Sequence, residues 1–137
     1  MNSVTWKGNL AFEGHSKNGS SFVMDASRDH GGEGLGPSPI EALVCSAAAC
    51  SAMDVISILQ KKRQVVTSYH ITIDYDRQEE GDYPRPITGL RLTHVLAGED
   101  LDPAAVERAV QLSDEKYCSV IASLRANVSV VSGWKIA

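Results

Sequence analysis

The chain has 137 residues, 43% hydrophobic and 22% charged, with a net charge of −4 at pH 7. That is the length of one domain with enough apolar material for a core, and an acidic balance with no extended basic run argues against a nucleic-acid surface. Three cysteines at irregular spacing do not form a secreted disulfide framework, and the start Met1-Asn2-Ser3-Val4-Thr5-Trp6-Lys7 lacks the apolar segment of a signal peptide. The expected setting is reducing and cytoplasmic, where thiols serve chemistry more often than structure.

In chain order, Ser3 to Gly14 alternates loosely, with Val4, Trp6, Leu10 and Phe12 on one face, and is expected as one strand. Asn18-Gly19 is a hairpin-turn signal, and Ser21 to Met24 returns as the second strand. A glycine-rich loop follows from Asp25 to Pro37. It matches no dinucleotide or phosphate-loop spacing, and its prolines remove amide donors, so it is expected as a flexible loop near a site rather than a phosphate cradle.

A helix-start signal comes next. Ser38 is an N-cap, Pro39 suits the first helical position, and Glu41 has the capping-box spacing. Small and apolar residues then run to Lys61-Lys62-Arg63, cations that suit a helix C-terminus. The expected helix is about 24 residues and roughly 36 Å long. It could cross a bilayer by length, but Asp54 at its middle and the capped start speak against that.

Val65 to Asp76 and Ile87 to Leu96 then read as a second hairpin across a polar, proline-rich turn. The first strand turns Val66, Tyr69, Ile71, Ile73 and Tyr75 to one face; Leu90, Leu92 and Val95 are the apolar positions of the second. Asp102-Pro103 caps a helix over Ala104 to Leu112. Ser113 opens a further short helix through Cys118 to about Leu124, and Asn127 to Trp134 is expected as a final strand. Hairpins with separate helices indicate an α+β fold with a largely antiparallel sheet. A long helix apolar on nearly every face needs cover on both sides, which a chain this size finds in a second copy of itself, so a homodimer is expected.

The exception to that apolar surface is a seam. Ser46, Ser57, Lys61 and Asp54 all lie within about 40° of Cys50 on the helical wheel, whereas Cys45 lies about 140° away. Cys50 alone would be read as a small core residue. Cys118 on a separate helical element changes that, because two thiols on packed helices can meet and cycle through a disulfide. A reactive thiolate needs a nearby cation. Asp54, one turn from Cys50, disfavours a neighbouring anion and is costly to bury alone. A guanidinium between them relieves both difficulties; Arg28 is the leading candidate, Arg125 and Arg63 the weaker ones. Glu41 is a cap rather than a catalytic group. His15, His30, His70 and His94 show no metal-ligand spacing, and no metal site is expected. No histidine lies on the seam to serve a thiol hydrolase.

With Ser38-Pro39-Ile40-Glu41-Ala42-Leu43, the run Ala48-Ala49-Cys50-Ser51-Ala52-Met53-Asp54-Val55 and the late Cys118 in view, the chain resembles the OsmC/Ohr superfamily of osmotically inducible and organic hydroperoxide resistance proteins. The element order fits across essentially the whole chain, and the Met-Asp-Val and Ser-Ile-Leu-Gln-Lys-Lys-Arg pieces look most like its OsmC-like branch. The resemblance implies an intertwined homodimer with active sites at the subunit interface. It implies a thiol-dependent peroxidase that prefers organic hydroperoxides, with Cys50 as the peroxidatic and Cys118 as the resolving cysteine. No bound cofactor is implied; an external dithiol protein, lipoyl-type in better known members, restores the thiols. The sequence departs from the family at two points: Ile40 stands where a glutamate usually orients the arginine, with Glu41 one residue later, and Arg28, in the segment that carries the family's arginine, matches no motif. A non-catalytic redox-sensing or apolar-ligand-binding dimer on the same scaffold is the rival expectation.

Overall fold

The capping residues ahead of the long helix behave as their spacing implies. In the computed structural model, which describes residues 1–126, 128–133 and 135–136, the Ser38 amide donates to Glu41 Oε2 at 3.0 Å and the Glu41 amide donates to Ser38 Oγ at 3.2 Å. This reciprocal pair satisfies two amides that a helix start would otherwise leave open. The helix, α1, spans Pro39–Lys61. It ends on Arg63, held at φ 58°, with the Gln64 amide donating to Leu59 O and the Arg63 amide to Gln60 O. That is a Schellman end with a non-glycine residue in the left-handed position.

The chain divides into two compact units, Met1–Ser46 and Ala47–Ala137. In the first, three strands form an antiparallel sheet in the order β1 (Ser3–Gly8), β2 (Ala11–His15), β3 (Ser21–Met24). The single strand expected over Ser3 to Gly14 is therefore two strands. The chain reverses at Gly8 and Asn9, both at positive φ, conformations that glycine and asparagine tolerate. The Asn18-Gly19 turn joins β2 to β3 as expected, with Gly19 at φ 94°.

The glycine-rich loop is built around one carboxylate. Asp25 is buried and accepts from the amides of Ala26 (2.7 Å), Glu33 (3.1 Å) and Leu35 (3.2 Å). Two of its glycines permit close backbone approach: a Cβ on Gly32 would lie 2.0 Å from Ala26 O, and one on Gly36 2.2 Å from Val23 O. The loop contains a 3₁₀ segment, Arg28–His30. Its glycines serve packing as well as turning.

In the second unit, β4 (Val65–Arg77) and β5 (Ile87–Glu99) pair antiparallel. A bulge at Thr67 between Val66 and Ser68 explains how Val66 and Tyr69, three apart, share the inner face. On β5 the inner face carries Leu90, Leu92, His94 and Leu96. Val95, an apolar position of the strand, is 41% exposed, because period-2 alternation from Leu92 selects His94 for the inner face. Helix α2, Pro103–Leu112, is capped by Asp102, whose carboxylate accepts from the Ala104 amide at 3.0 Å. Val55 and Leu59 of α1 pack with Ala105 and Ala109 of α2 in a core that Val66, Tyr69 and Leu96 border.

Beyond α2 the structure differs from expectation. Ser113–Tyr117 forms a π-turn, and only then does α3, Ser119–Arg125, begin. Of the final strand expected over Asn127 to Trp134, both end residues lie outside the described residues. Val128, Val130 and Val131 are exposed, and the described stretch 128–133 takes part in no strand pairing. Alternation gives a strand its two faces, but a strand also needs a partner edge. Along α1, Leu43 and the 69% exposed Met53 lie open in the single chain.

Candidate active site

Cys50 and Asp54 stand one turn apart on α1, and the π-turn delivers Cys118 to them. The Cys118 amide donates to Ser113 O, five residues back, at 2.9 Å. The backbone then turns extended at Cys118, φ −73° and ψ 103°, and its sulfur caps α3 by accepting from the Ile121 amide at 3.5 Å. Cys118 is therefore an N-cap, where a helical position was expected. Its side chain is buried in a cluster with Ala47 and Ile121, bordered by Cys50, Leu90, Leu92 and Val120. The sulfurs of Cys50 and Cys118 and a carboxylate oxygen of Asp54 all lie within 4.8 Å of one another. Both thiols are free. Burial pushes the Cys118 thiol above its ordinary range; the Ile121 amide opposes this and neighbouring Cys50 adds to it.

Asp54 has a partner that the sequence did not single out. Ser113 Oγ lies 3.0 Å from Asp54 Oδ2 and 3.0 Å from Ser51 Oγ, and both serines are buried. A hydroxyl has one proton to donate, and a carboxylate is the stronger acceptor. Ser113 therefore donates to Asp54 and accepts from Ser51. The signal for Ser51 was its place beside Cys50, but about 100° off the seam; Ser113 looked like the opening of a helix.

The candidate arginines are placed as follows. Arg28 belongs to the Met1–Ser46 unit, where its Nε donates to Glu33 O at 3.4 Å. Arg125 clasps Asp114, donating to its backbone oxygen at 3.0 Å and its carboxylate at 3.1 Å. Arg63 forms the end turn of α1. Among the described residues, Asp54 makes no salt bridge.

A groove of about 550 Å³ lies in the second unit between β5 and the α2–α3 segment. Leu90, Leu92, Val110, Ile121 and Leu124 give it an apolar wall, and Ser51, His94, Gln111, Asp114, Glu115 and Arg125 give it a polar one of similar extent. His94 Nδ1 meets the Tyr69 hydroxyl at 2.5 Å. Burial raises Tyr69 to about 12. It lowers His94, with Asp114 opposing. The phenol is thus the donor, and the neutral imidazole carries its proton on Nε2.

Two free thiols thus meet on an α+β frame of antiparallel strands and, among the described residues, three α-helices, the frame of an OsmC-type protein. The chain belongs to the OsmC family: residues 31–132 match the family described as OsmC-like protein. It is 41% identical to Protein YhfA of Escherichia coli K12 over 133 residues, 97% of this chain and 95% of that one. Among solved structures, a hypothetical protein from Aquifex aeolicus VF5 superposes with a TM-score of 0.76 at 30% identity, over 91% of this chain and 86% of that one. An organic hydroperoxide resistance protein OsmC from Legionella pneumophila shares the fold at a TM-score of 0.66 and 17% identity, over 93% and 90%.

Proposed function

We propose that this protein is a thiol-dependent peroxidase that reduces organic hydroperoxides in oxidative stress defence, acting in the cytoplasm as an intertwined homodimer. The observation that carries the proposal is the approach of Cys50 and Cys118 sulfurs to within 4.8 Å. A disulfide bond is about 2.05 Å long, so side-chain rotation and a small backbone adjustment close the gap.

The division of labour follows from burial. Cys50 is half-buried and Cys118 buried, so the hydroperoxide meets Cys50 first. The Cys50 thiolate attacks the outer oxygen of ROOH, the O–O bond breaks, and the alkoxide leaves as ROH after taking a proton. Cys50 is then a sulfenic acid. The Cys118 thiol condenses with it, releasing water and forming the disulfide. A dithiol reductant protein, lipoyl-type by family resemblance, returns both thiols and is itself oxidised to a disulfide. Arg28 and Asp54, the latter fixed by Ser113, join the two cysteines in the proposed set of catalytic residues. The homodimer is supported by the apolar residues that α1 leaves open, Met53 above all; light scattering on the purified chain reads its mass directly.

The groove of about 550 Å³ favours a second reading, a non-catalytic apolar-ligand-binding or redox-sensing dimer. One experiment separates the two. Reduced protein is mixed with cumene hydroperoxide or hydrogen peroxide, and oxidised cysteines are mapped by mass spectrometry, with Cys50→Ser and Cys118→Ser alongside. Rapid Cys50–Cys118 disulfide formation, faster with the organic peroxide and lost in both variants, is expected. Oxidation no faster than that of a free thiol would overturn the peroxidase and leave the binder.

A further inference from the structure

The same three donor atoms have a chemistry that needs no peroxide. We propose that reduced Cys50, Cys118 and Asp54 form a binding site for a zinc-class divalent cation. This inference goes beyond the peroxidase and does not depend on it.

Two sulfurs and one carboxylate oxygen within 4.8 Å of each other are a donor set suited to a borderline-soft d¹⁰ ion and unsuited to calcium or magnesium, which take oxygen shells. Tetrahedral bonds of about 2.3 Å to sulfur set the two sulfurs roughly 3.8 Å apart, so the pair needs only a slight closure. Two thiolates and a carboxylate supply three negative charges against the ion's two. A fourth position stays open to water. The surroundings are also those of a ligand set. Ser113 donates to Asp54 at 3.0 Å and is itself held by Ser51, which fixes the carboxylate as outer hydrogen bonds do around a metal. The Ile121 amide donates to the Cys118 sulfur at 3.5 Å and fixes its direction. No salt bridge occupies Asp54 among the described residues. Binding displaces both thiol protons: Zn²⁺ plus two thiols gives a zinc dithiolate and two protons.

The test uses the full reduced chain, without oxygen or peroxide. Zn²⁺ is titrated against a chromophoric chelator, and Cd²⁺ is followed by its ultraviolet sulfur-to-metal charge-transfer band. Expected are one ion per chain, release of two protons per ion in weak buffer, and an absorbance increment of two thiolates. Bound Zn²⁺ should protect Cys50 and Cys118, but not Cys45, from alkylation mapped by mass spectrometry; this arm needs no variant. Cys50→Ser, Cys118→Ser and Asp54→Asn should each weaken binding at least tenfold and Ser113→Ala about tenfold, with Cys45→Ser unchanged and circular dichroism confirming the fold of each. Binding no tighter than micromolar, or ion protection of Cys45 in place of the pair, would overturn the site. The peroxide assay is separate, so either proposal can fail alone.

Discussion

The Ser113 hydroxyl, on the π-turn, lies 3.0 Å from the Asp54 carboxylate on α1. This contact ties the segment bearing Cys118 to the helix bearing Cys50. Ser113→Ala deletes it together with the link to Ser51. Loss of a buried hydrogen bond to a charged group costs about 1.5–3 kcal/mol. The urea midpoint should fall accordingly, with the m-value unchanged. Ser123→Ala, which removes an exposed hydroxyl bonded to Ser119 O, should stay within about 0.5 kcal/mol. Equal effects from the two would show that the buried contact has no special weight.

Cys118 predicts an alkaline limit. Its folded thiol titrates above the ordinary range because it is buried. The folded state therefore favours the protonated form. That contribution is complete below the ordinary thiol range and is lost as pH rises from there toward the folded value. Denaturant stability should decline across that interval, and Cys118→Ser should flatten the decline. Alkylation at neutral pH should reach exposed Cys45 well before Cys118.

Asp25 predicts the opposite limit. Burial works to raise its carboxyl, but the amides of Leu35, Glu33, Ala26 and Gly34 together hold it below the usual carboxylate range. Its contribution is complete above the unfolded value and is lost as pH falls through the folded one. Asp25→Asn should lower stability at neutral pH and weaken the acid dependence of the wild type. Amide exchange at Glu33 and Leu35, which donate to the carboxylate, should quicken. Unchanged exchange there would mean that the loop does not depend on Asp25.

Arg63 stands at φ 58° in the turn that ends α1. A left-handed conformation costs a residue with a Cβ about 1–2 kcal/mol, while glycine's greater unfolded freedom costs about 0.5–1. Arg63→Gly should therefore stabilise by roughly 0.5 kcal/mol. Thermal denaturation reads this as a small rise in Tm. If Arg63 were the cation for Cys50, the same variant would instead slow peroxide-driven disulfide formation by a factor of ten or more.

What the sequence disclosed was chiefly local. Ser38, Pro39 and Glu41 mark the start of α1, and Asp102-Pro103 that of α2, because caps and their partners lie within three residues. The β4–β5 hairpin was visible in alternation, down to Val66 and Tyr69. The wheel set Cys50 beside Asp54 and turned Cys45 away, as observed. What escaped depends on distant partners. Gly8-Asn9 reads as strand unless its positive φ values are known. Ser113 looks like a helix start because its bonds to Asp54 and Ser51 span 59 and 62 residues. His94, on the inner face of β5, gave no spacing signal because Tyr69 is its partner across the hairpin.

The π-turn has a genetic consequence. Asp114, Glu115, Lys116 and Tyr117 are exposed, and changing any one of their side chains should be tolerated. Losing one codon among them should not. Five-back bonding would revert to four-back, and the ordinary helix would run on. Cys118 would then swing by about 100° and shift by about 1.5 Å, away from Cys50. An innocuous-looking surface stretch thus has a fixed length, and a deletion there would separate the two thiols without touching either cysteine.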